Sequence, residues 1–118
     1  MTEERTIDLE LGRISSLARE AVGFIEGMDK QRFLADRRTQ QAVAMNLIII
    51  GEIVSKLLSK HADLEDRHPD IPWRSMRGMR NRIAHGYFQL DLEVVWLTVQ
   101  TALSDLDHKI TSIRPLQE

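Results

Sequence analysis

Residues 80–87 concentrate side chains that can bind phosphate and transfer protons, namely Arg80, Asn81, His85 and Tyr87. Cleaving RNA without a metal requires a base for the 2′-hydroxyl proton, an acid for the leaving 5′-oxygen, and a cation for the phosphate charge. An imidazole can serve as base or acid near neutral pH, and a guanidinium offers a planar fork of donors that fits a phosphate. The segment therefore predicts metal-independent RNA cleavage, with Arg80 and His85 as the catalytic pair.

Other residues around this pair are predicted to support it. Asn81 lies four residues before His85, so in a helix it faces the same side and could hold the imidazole or the phosphate. Arg77 belongs to a basic stretch, because no acidic residue occurs between positions 71 and 90. The same residue types at a helix end also form caps and salt bridges, and this structural role is the alternative to catalysis.

A single histidine in the segment is a difficulty, because transesterification usually uses both an acid and a base. The other histidines lie outside the segment, at His61, His68 and His108. A two-fold dimer could bring two copies of Arg80 and His85 to one cleft. A second pattern also favours a dimer: residues 42–50 are apolar on nearly every side, and a chain this small can hardly cover both faces of such a helix.

Four long helices are predicted to position the segment. Apolar residues recur at helical spacing over residues 7–28 and 92–113. A second helix is predicted to start near residues 36–39 and end at Lys60, and a third to run from Pro72 to about Gly86. The predicted fold is an all-α antiparallel bundle, with a charged loop or short helix between the second and third helices.

Four local signals refine these helices. Asp8 and Asp91 are candidate caps for the first and last helix. Gly51, in the middle of the second helix, costs about 1 kcal/mol relative to alanine, which close approach of another helix would explain. Glu52, next to it, could support the site by reaching an arginine across that approach, or could lie in solvent.

Composition limits the class of protein. The 118 residues, with 42% hydrophobic and 29% charged, predict one globular domain over residues 1–118 with a core of about 7–113. The net charge of −2 argues against a general basic coat, so any nucleic-acid site must be local. The chain has no cysteine, and its histidines and carboxylates lack the spacing of a metal site, so no metal and no cofactor is predicted. We find no signal peptide and no apolar run approaching a membrane span, which predicts a cytoplasmic protein without membrane contact.

The motif Arg80-x4-His85-x-Tyr87, with Asn81 after the arginine, resembles the Arg-x4–6-His motif of HEPN domains. The wider pattern is similar to the HepT-like branch of that superfamily. It comprises Ile71-Pro72-Trp73-Arg74, Gly78-Met79-Arg80-Asn81, His85-Gly86-Tyr87-Phe88, Gly51-Glu52, Asp91-Leu92 and Val95-Trp96. The resemblance extends from the first predicted helix to the last.

This resemblance implies a homodimeric α-helical RNase toxin of a type VII toxin–antitoxin pair. The implied partner is an MNT-type nucleotidyltransferase (MntA-like), which in the described pairs transfers AMP from ATP to the motif tyrosine. By motif position, Arg80 and His85 would be catalytic, Asn81 supporting and Tyr87 the AMP acceptor. An anionic group on Tyr87 would block the cleft and neutralise its arginines.

Two alternatives are a HEPN module that binds nucleotide or partner without catalysis, and an adaptor that only gives specificity to the partner.

Overall fold

The computed structural model describes residues 2–114, and within that range all regular structure is helical, as predicted. Its seven α-helices are α1 Glu3–Phe24, α2 Lys30–Ala35, α3 Arg37–Lys60, α4 Leu64–Arg67, α5 Trp73–Gly86, α6 Leu92–Leu97 and α7 Leu103–Ile113. A 3-10 turn, Tyr87–Gln89, follows α5, and a π-helical turn, Thr98–Ala102, joins α6 to α7. Four long helical segments therefore dominate the described chain, and α4 lies within the predicted charged linker.

Side-chain caps fix the starts of α3 and α6, close to the predicted bounds. The carboxylate of Asp36 accepts a hydrogen bond from the Thr39 N–H at 3.1 Å, and α3 starts at Arg37, directly after this cap. Hydrogen bonds from the backbone and side chain of Thr39 lower the pKa of Asp36. This cap therefore stabilises the fold above the ordinary carboxyl pKa, and the contribution is lost as the pH falls through the lowered value. Asp91 caps α6 as predicted, accepting from the Glu93 and Val94 N–H groups at 3.0 and 3.4 Å.

The start of α1 differs from the prediction. The Thr2 hydroxyl caps the helix by accepting from the Arg5 N–H at 3.2 Å, so α1 begins at Glu3 and Asp8 lies inside it. Asp8 instead binds Arg114, which donates to its two carboxylate oxygens at 2.7 and 3.2 Å. The Arg114 side chain also lies over Gly12. This pair therefore ties the end of α7 to α1.

One core joins these helices. α1 contacts α3 and α7, and α3 contacts α5. A buried polar residue of α3, Asn46, donates to the Leu17 carbonyl at 3.1 Å and to the Glu20 carboxylate at 2.9 Å, which fixes α3 against α1. The rings of Phe33 and Trp96 lie 5.5 Å apart and attach α2 to α6.

Gly51 marks a close approach of α3 and α5, as predicted. A Cβ placed on Gly51 would overlap the Cβ of Arg80 and lie 2.9 Å from the Met76 carbonyl oxygen. Only a residue without a side chain allows the two backbones to come this close. The backbone of α5 is therefore fixed against α3 directly beside Arg80.

α3 also has an apolar face that residues 2–114 leave exposed. Met45 is 55% exposed and Ile49 is 37% exposed. In length and hydropathy α3 would suffice to cross a membrane, so the prediction that no run approaches a membrane span was wrong for this helix. Half of its most apolar stretch is nevertheless buried inside the fold, which is also the property of a core helix in a soluble protein.

Candidate functional site

The candidate site lies on the outward side of α5 and on the turn that follows it. Four residues of α5 at spacings of three and four are buried in the core, namely Trp73, Met76, Met79 and Ile83. The Trp73 indole N–H donates to the His68 carbonyl at 3.0 Å and anchors the start of the helix. Because this face is fixed inward, the polar residues between these positions point toward α3 or solvent.

Arg80 is held in place by two neighbours. Its Nε forms an ion pair with the carboxylate of Glu52, so the predicted reach of Glu52 to an arginine is confirmed. Its Nη1 donates to Oδ1 of Asn81 at 3.0 Å. The oxygen of Asn81, a predicted supporting residue, is thus engaged by Arg80. Together the two contacts restrict the orientation of the guanidinium and offset part of its charge.

His85 occupies a separate environment at the end of α5. It is exposed and lines a surface cavity of about 380 Å³ together with Arg82, Gln89 and Asp91. Within residues 2–114, neither the His85 imidazole nor the Arg82 guanidinium has a hydrogen bond or an ion pair. The imidazole is thus available to a ligand, with an unpaired cation beside it.

Arg82 was not among the predicted site residues. Its spacing of three residues from His85 could have identified it, because residues three apart in a helix are neighbours on one face. Arg77 is half-buried and likewise unpaired within the described range, whereas Arg74 pairs with Glu65 at 3.1 Å. Arg77 and Arg82 are therefore the α5 arginines whose charge is not already matched by a carboxylate.

Arg80 and His85 do not form one pocket in a single chain. Five residues of α-helix separate them by about 140° around the axis and about 7.5 Å along it. Arg80 lies toward α3, where Gly51 and Glu52 contact it, whereas His85 opens onto the cavity near the start of α6. The structure thus unites Arg80, Asn81 and Glu52 in one group and places His85 in another.

Tyr87 begins the 3-10 turn after α5. Its ring is half-buried against the edge of the core and makes an edge-to-face contact with Phe88, with ring centroids 5.8 Å apart. Its hydroxyl makes no hydrogen bond within the described chain. Among residues 2–114 no three His, Asp or Glu side chains are grouped in a way that could hold a metal ion.

Comparison with known proteins places these residues in a family. The family model described as "Ribonuclease HepT-like" matches residues 14–113. A Thermococcus cleftensis protein named "Probable ribonuclease HepT" is 37% identical over 99 residues, covering 80% of this chain and 87% of that protein. A "Putative RNase" of Methanocaldococcus jannaschii is 29% identical over 110 residues, covering 93% and 92%. Another "Putative RNase", from Caldanaerobacter subterraneus, is 27% identical over 89 residues, covering 75% and 77%. No solved structure matches significantly.

Proposed function

We propose that this chain, which belongs to the HepT-like ribonuclease family of HEPN domains, is a metal-independent RNase toxin that cleaves RNA at the end of α5. The observation that carries the proposal is the exposed His85 beside Arg82, both unpaired within residues 2–114, on the same helix as an Arg80 held by Glu52. The names of the relatives support RNA as the substrate. We further propose one HEPN-like domain over residues 1–118, an antiparallel arrangement of its four long helices, and a cytoplasmic location.

The proposed reaction is an attack of the ribose 2′-oxygen on the adjacent phosphorus. One His85 takes the 2′-hydroxyl proton, and His85 of a second copy protonates the 5′-oxygen as the phosphorus–oxygen bond breaks. The products are a 2′,3′-cyclic phosphate and a 5′-hydroxyl. Arg80 stabilises the charge on the phosphate, and Glu52 and Asn81 are positioning residues because they restrict that guanidinium. Arg77 and Arg82 bind neighbouring phosphates.

A homodimer would unite the two groups that a single chain keeps apart. The exposed apolar side of α3, with Met45 and Ile49, adjoins a groove between α1 and α3 to which Leu9 and Ile53 also contribute. Exposed apolar patches of this kind mark protein contacts. Glu52 lines the same groove and binds Arg80, so a second copy seated on this face would meet the Arg80 group directly. This continuity supports a two-fold cleft.

Mixed dimers test the proposed cleft. Differently tagged wild-type and His85→Ala chains are co-expressed, the mixed dimer is purified through both tags, and RNA cleavage is measured in EDTA. Because the cleft needs one histidine as base and another as acid, the mixed dimer is expected to be nearly as inactive as the His85→Ala homodimer. Two independent sites would instead retain about half of the wild-type activity. A mixed dimer carrying His108→Ala is the control, and failure to recover any mixed dimer would contradict the composite cleft.

One observation favours a second candidate function. Arg80 is already paired with Glu52 and lies about 140° around α5 from His85. This is compatible with a HEPN module that binds RNA, nucleotide or a protein partner without catalysis. Binding of RNA without turnover by the wild-type protein, lost in Arg80→Ala, would select this function over the nuclease.

We propose that an MNT-type nucleotidyltransferase silences the protein by adenylylating Tyr87. The hydroxyl, which has no hydrogen bond within residues 2–114, would attack the α-phosphorus of ATP and release pyrophosphate. Co-expression with such a partner is expected to increase the intact mass by one adenylyl group and to abolish cleavage. Tyr87→Phe should show neither effect. Full inhibition with an unchanged mass would contradict adenylylation and point to simple masking of the site.

A further inference from the structure

Phe88 is exposed and does not pack against the core, so core packing does not explain why this position is aromatic. It is 89% exposed, compared with 57% for Leu97 and 55% for Met45, which are the next most exposed large apolar residues of the described chain. A phenylalanine in this position leaves most of its apolar surface in water, so it adds little burial energy to the fold. The side chain is therefore available to bind a ligand.

The backbone presents this ring from a fixed position. Phe88 lies in the middle of the 3-10 turn Tyr87–Gln89, which the Leu90 N–H closes by donating to the Tyr87 carbonyl at 3.1 Å. α5 precedes the turn, and α6, capped by Asp91, begins shortly after it. The edge-to-face contact with Tyr87 further restricts the ring. A ring held in this way loses little freedom when a ligand binds.

The chemistry around Phe88 matches single-stranded RNA. His85 is three residues earlier, Arg82 lies one turn before His85, and both are unpaired within residues 2–114. Exposed aromatic rings bind unpaired bases by stacking, and neighbouring cations bind the phosphates. The sequence between positions 71 and 90 carries no acidic residue. Asp91, which lines the same cavity, is engaged by the Glu93 and Val94 N–H groups as the cap of α6. A protein contact would more often use an apolar patch. Gly86 and Gln89, which flank Tyr87 and Phe88 in sequence, line a cavity together with Arg82 and His85, so polar and cationic groups lie close to this turn.

We propose that Phe88 stacks on an unpaired base next to the phosphate that lies at His85, while Arg82 binds an adjacent phosphate. The proposal rests on the proposed function, because it takes RNA as the ligand of this site. It makes Phe88 a determinant of substrate class: the protein requires single-stranded RNA and binds a duplex poorly, since a paired base is not free to stack on the ring.

Binding of a short fluorescent single-stranded RNA tests the proposal in the His85→Ala background, where the RNA stays intact. Adding Phe88→Ala is expected to raise Kd by about 5- to 100-fold, the range that loss of one stacked base produces. Phe88→Leu should be as weak as Phe88→Ala, because leucine is apolar but cannot stack. Phe88→Trp should bind at least as tightly as phenylalanine. Leu97→Ala, another exposed apolar residue, is the matched control and should leave Kd unchanged.

An RNA carrying one 2-aminopurine reports the stacking itself. Its fluorescence should be quenched by protein with Phe88 or Trp at this position and not by the leucine variant. A leucine variant that binds like the phenylalanine protein, or an alanine variant with unchanged Kd, overturns the proposal. A changed oligomeric state in Phe88→Ala, with unchanged RNA affinity per dimer, would also overturn it in favour of a protein contact.

The two proposals can fail separately. Binding is measured without cleavage, so loss of the Phe88 effect leaves RNA cleavage by the wild-type protein untouched. Conversely, if the wild-type protein cleaves no RNA in EDTA but the ranking of Phe88 variants holds, the nuclease proposal fails and the stacking site remains.

Discussion

Replacing His85 by alanine is expected to lower the rate of RNA cleavage in EDTA by about 10²- to 10⁴-fold, the contribution of a positioned general acid or base. The imidazole is the exposed, unpaired proton-transfer group beside Arg82. Asp91, the carboxylate that lines the same cavity, is already engaged as the cap of α6. Because the His85 side chain makes no hydrogen bond or ion pair within the described chain, the substitution should change the free energy of unfolding by less than about 0.5 kcal/mol.

Single-turnover cleavage of a single-stranded RNA, with thermal unfolding measured in parallel, separates catalysis from stability. His108→Ala is the matched control, because it removes an exposed histidine on α7. We expect wild-type cleavage from this control. If His85→Ala cleaves RNA as fast as His108→Ala does, another group must transfer the proton, and the proposed role of His85 is wrong.

The helices could be predicted because their signals are local. Periodic apolar residues and caps such as Asp91 depend on residues a few positions apart. The close approach at Gly51 could be predicted because a mid-helix glycine has few explanations other than close packing. The contact of the adjacent Glu52 with an arginine followed from the same approach. The pairing of Asp8 with Arg114 could not be predicted, because the two residues are 106 positions apart and meet only after α1 and α7 pack together. The cap of α1 is local, because the Thr2 hydroxyl accepts from the Arg5 N–H, but Asp8 gave a competing local signal.

The site was less predictable than the helices that carry it. The residue types of segment 80–87 indicate the chemistry, but their spacing in sequence does not place Arg80 and His85 on one face of α5. Helical geometry pairs His85 with Arg82 instead, and Arg80 donates a side-chain hydrogen bond to the adjacent Asn81. The exposure of Phe88 was also beyond prediction, because phenylalanine is normally buried and its turn lies outside the periodic helical pattern. The proposed cleft also depends on contacts between two copies of the chain, and local sequence patterns do not reveal such contacts.

Replacing Gly51 by alanine is expected to lower the free energy of unfolding by about 1–3 kcal/mol, the usual range for overpacking a core contact. The new Cβ would overlap the Cβ of Arg80 and lie 2.9 Å from the Met76 carbonyl oxygen. These atoms belong to the backbone of α5 or lie next to it, so no side-chain rotation can make room. α5 would have to move away from α3, which would also separate Arg80 from Glu52. Chemical denaturation gives the loss of stability, and cleavage at a temperature where the variant is folded gives the effect on the site.

Gly78→Ala is the matched control, because Gly78 is also a mid-helix glycine and a Cβ there meets no atom within 4 Å. It should leave the free energy of unfolding unchanged or raise it by up to about 1 kcal/mol, since alanine is the better helix former. The two variants add the same methyl group, so the difference between them isolates the α3–α5 contact from helix propensity. Equal stability of the two variants would mean that α5 does not rest on α3 at Gly51. In that case the close contact that fixes α5 beside Glu52 would be absent, and the proposed positioning of Arg80 by Glu52 would lose its support.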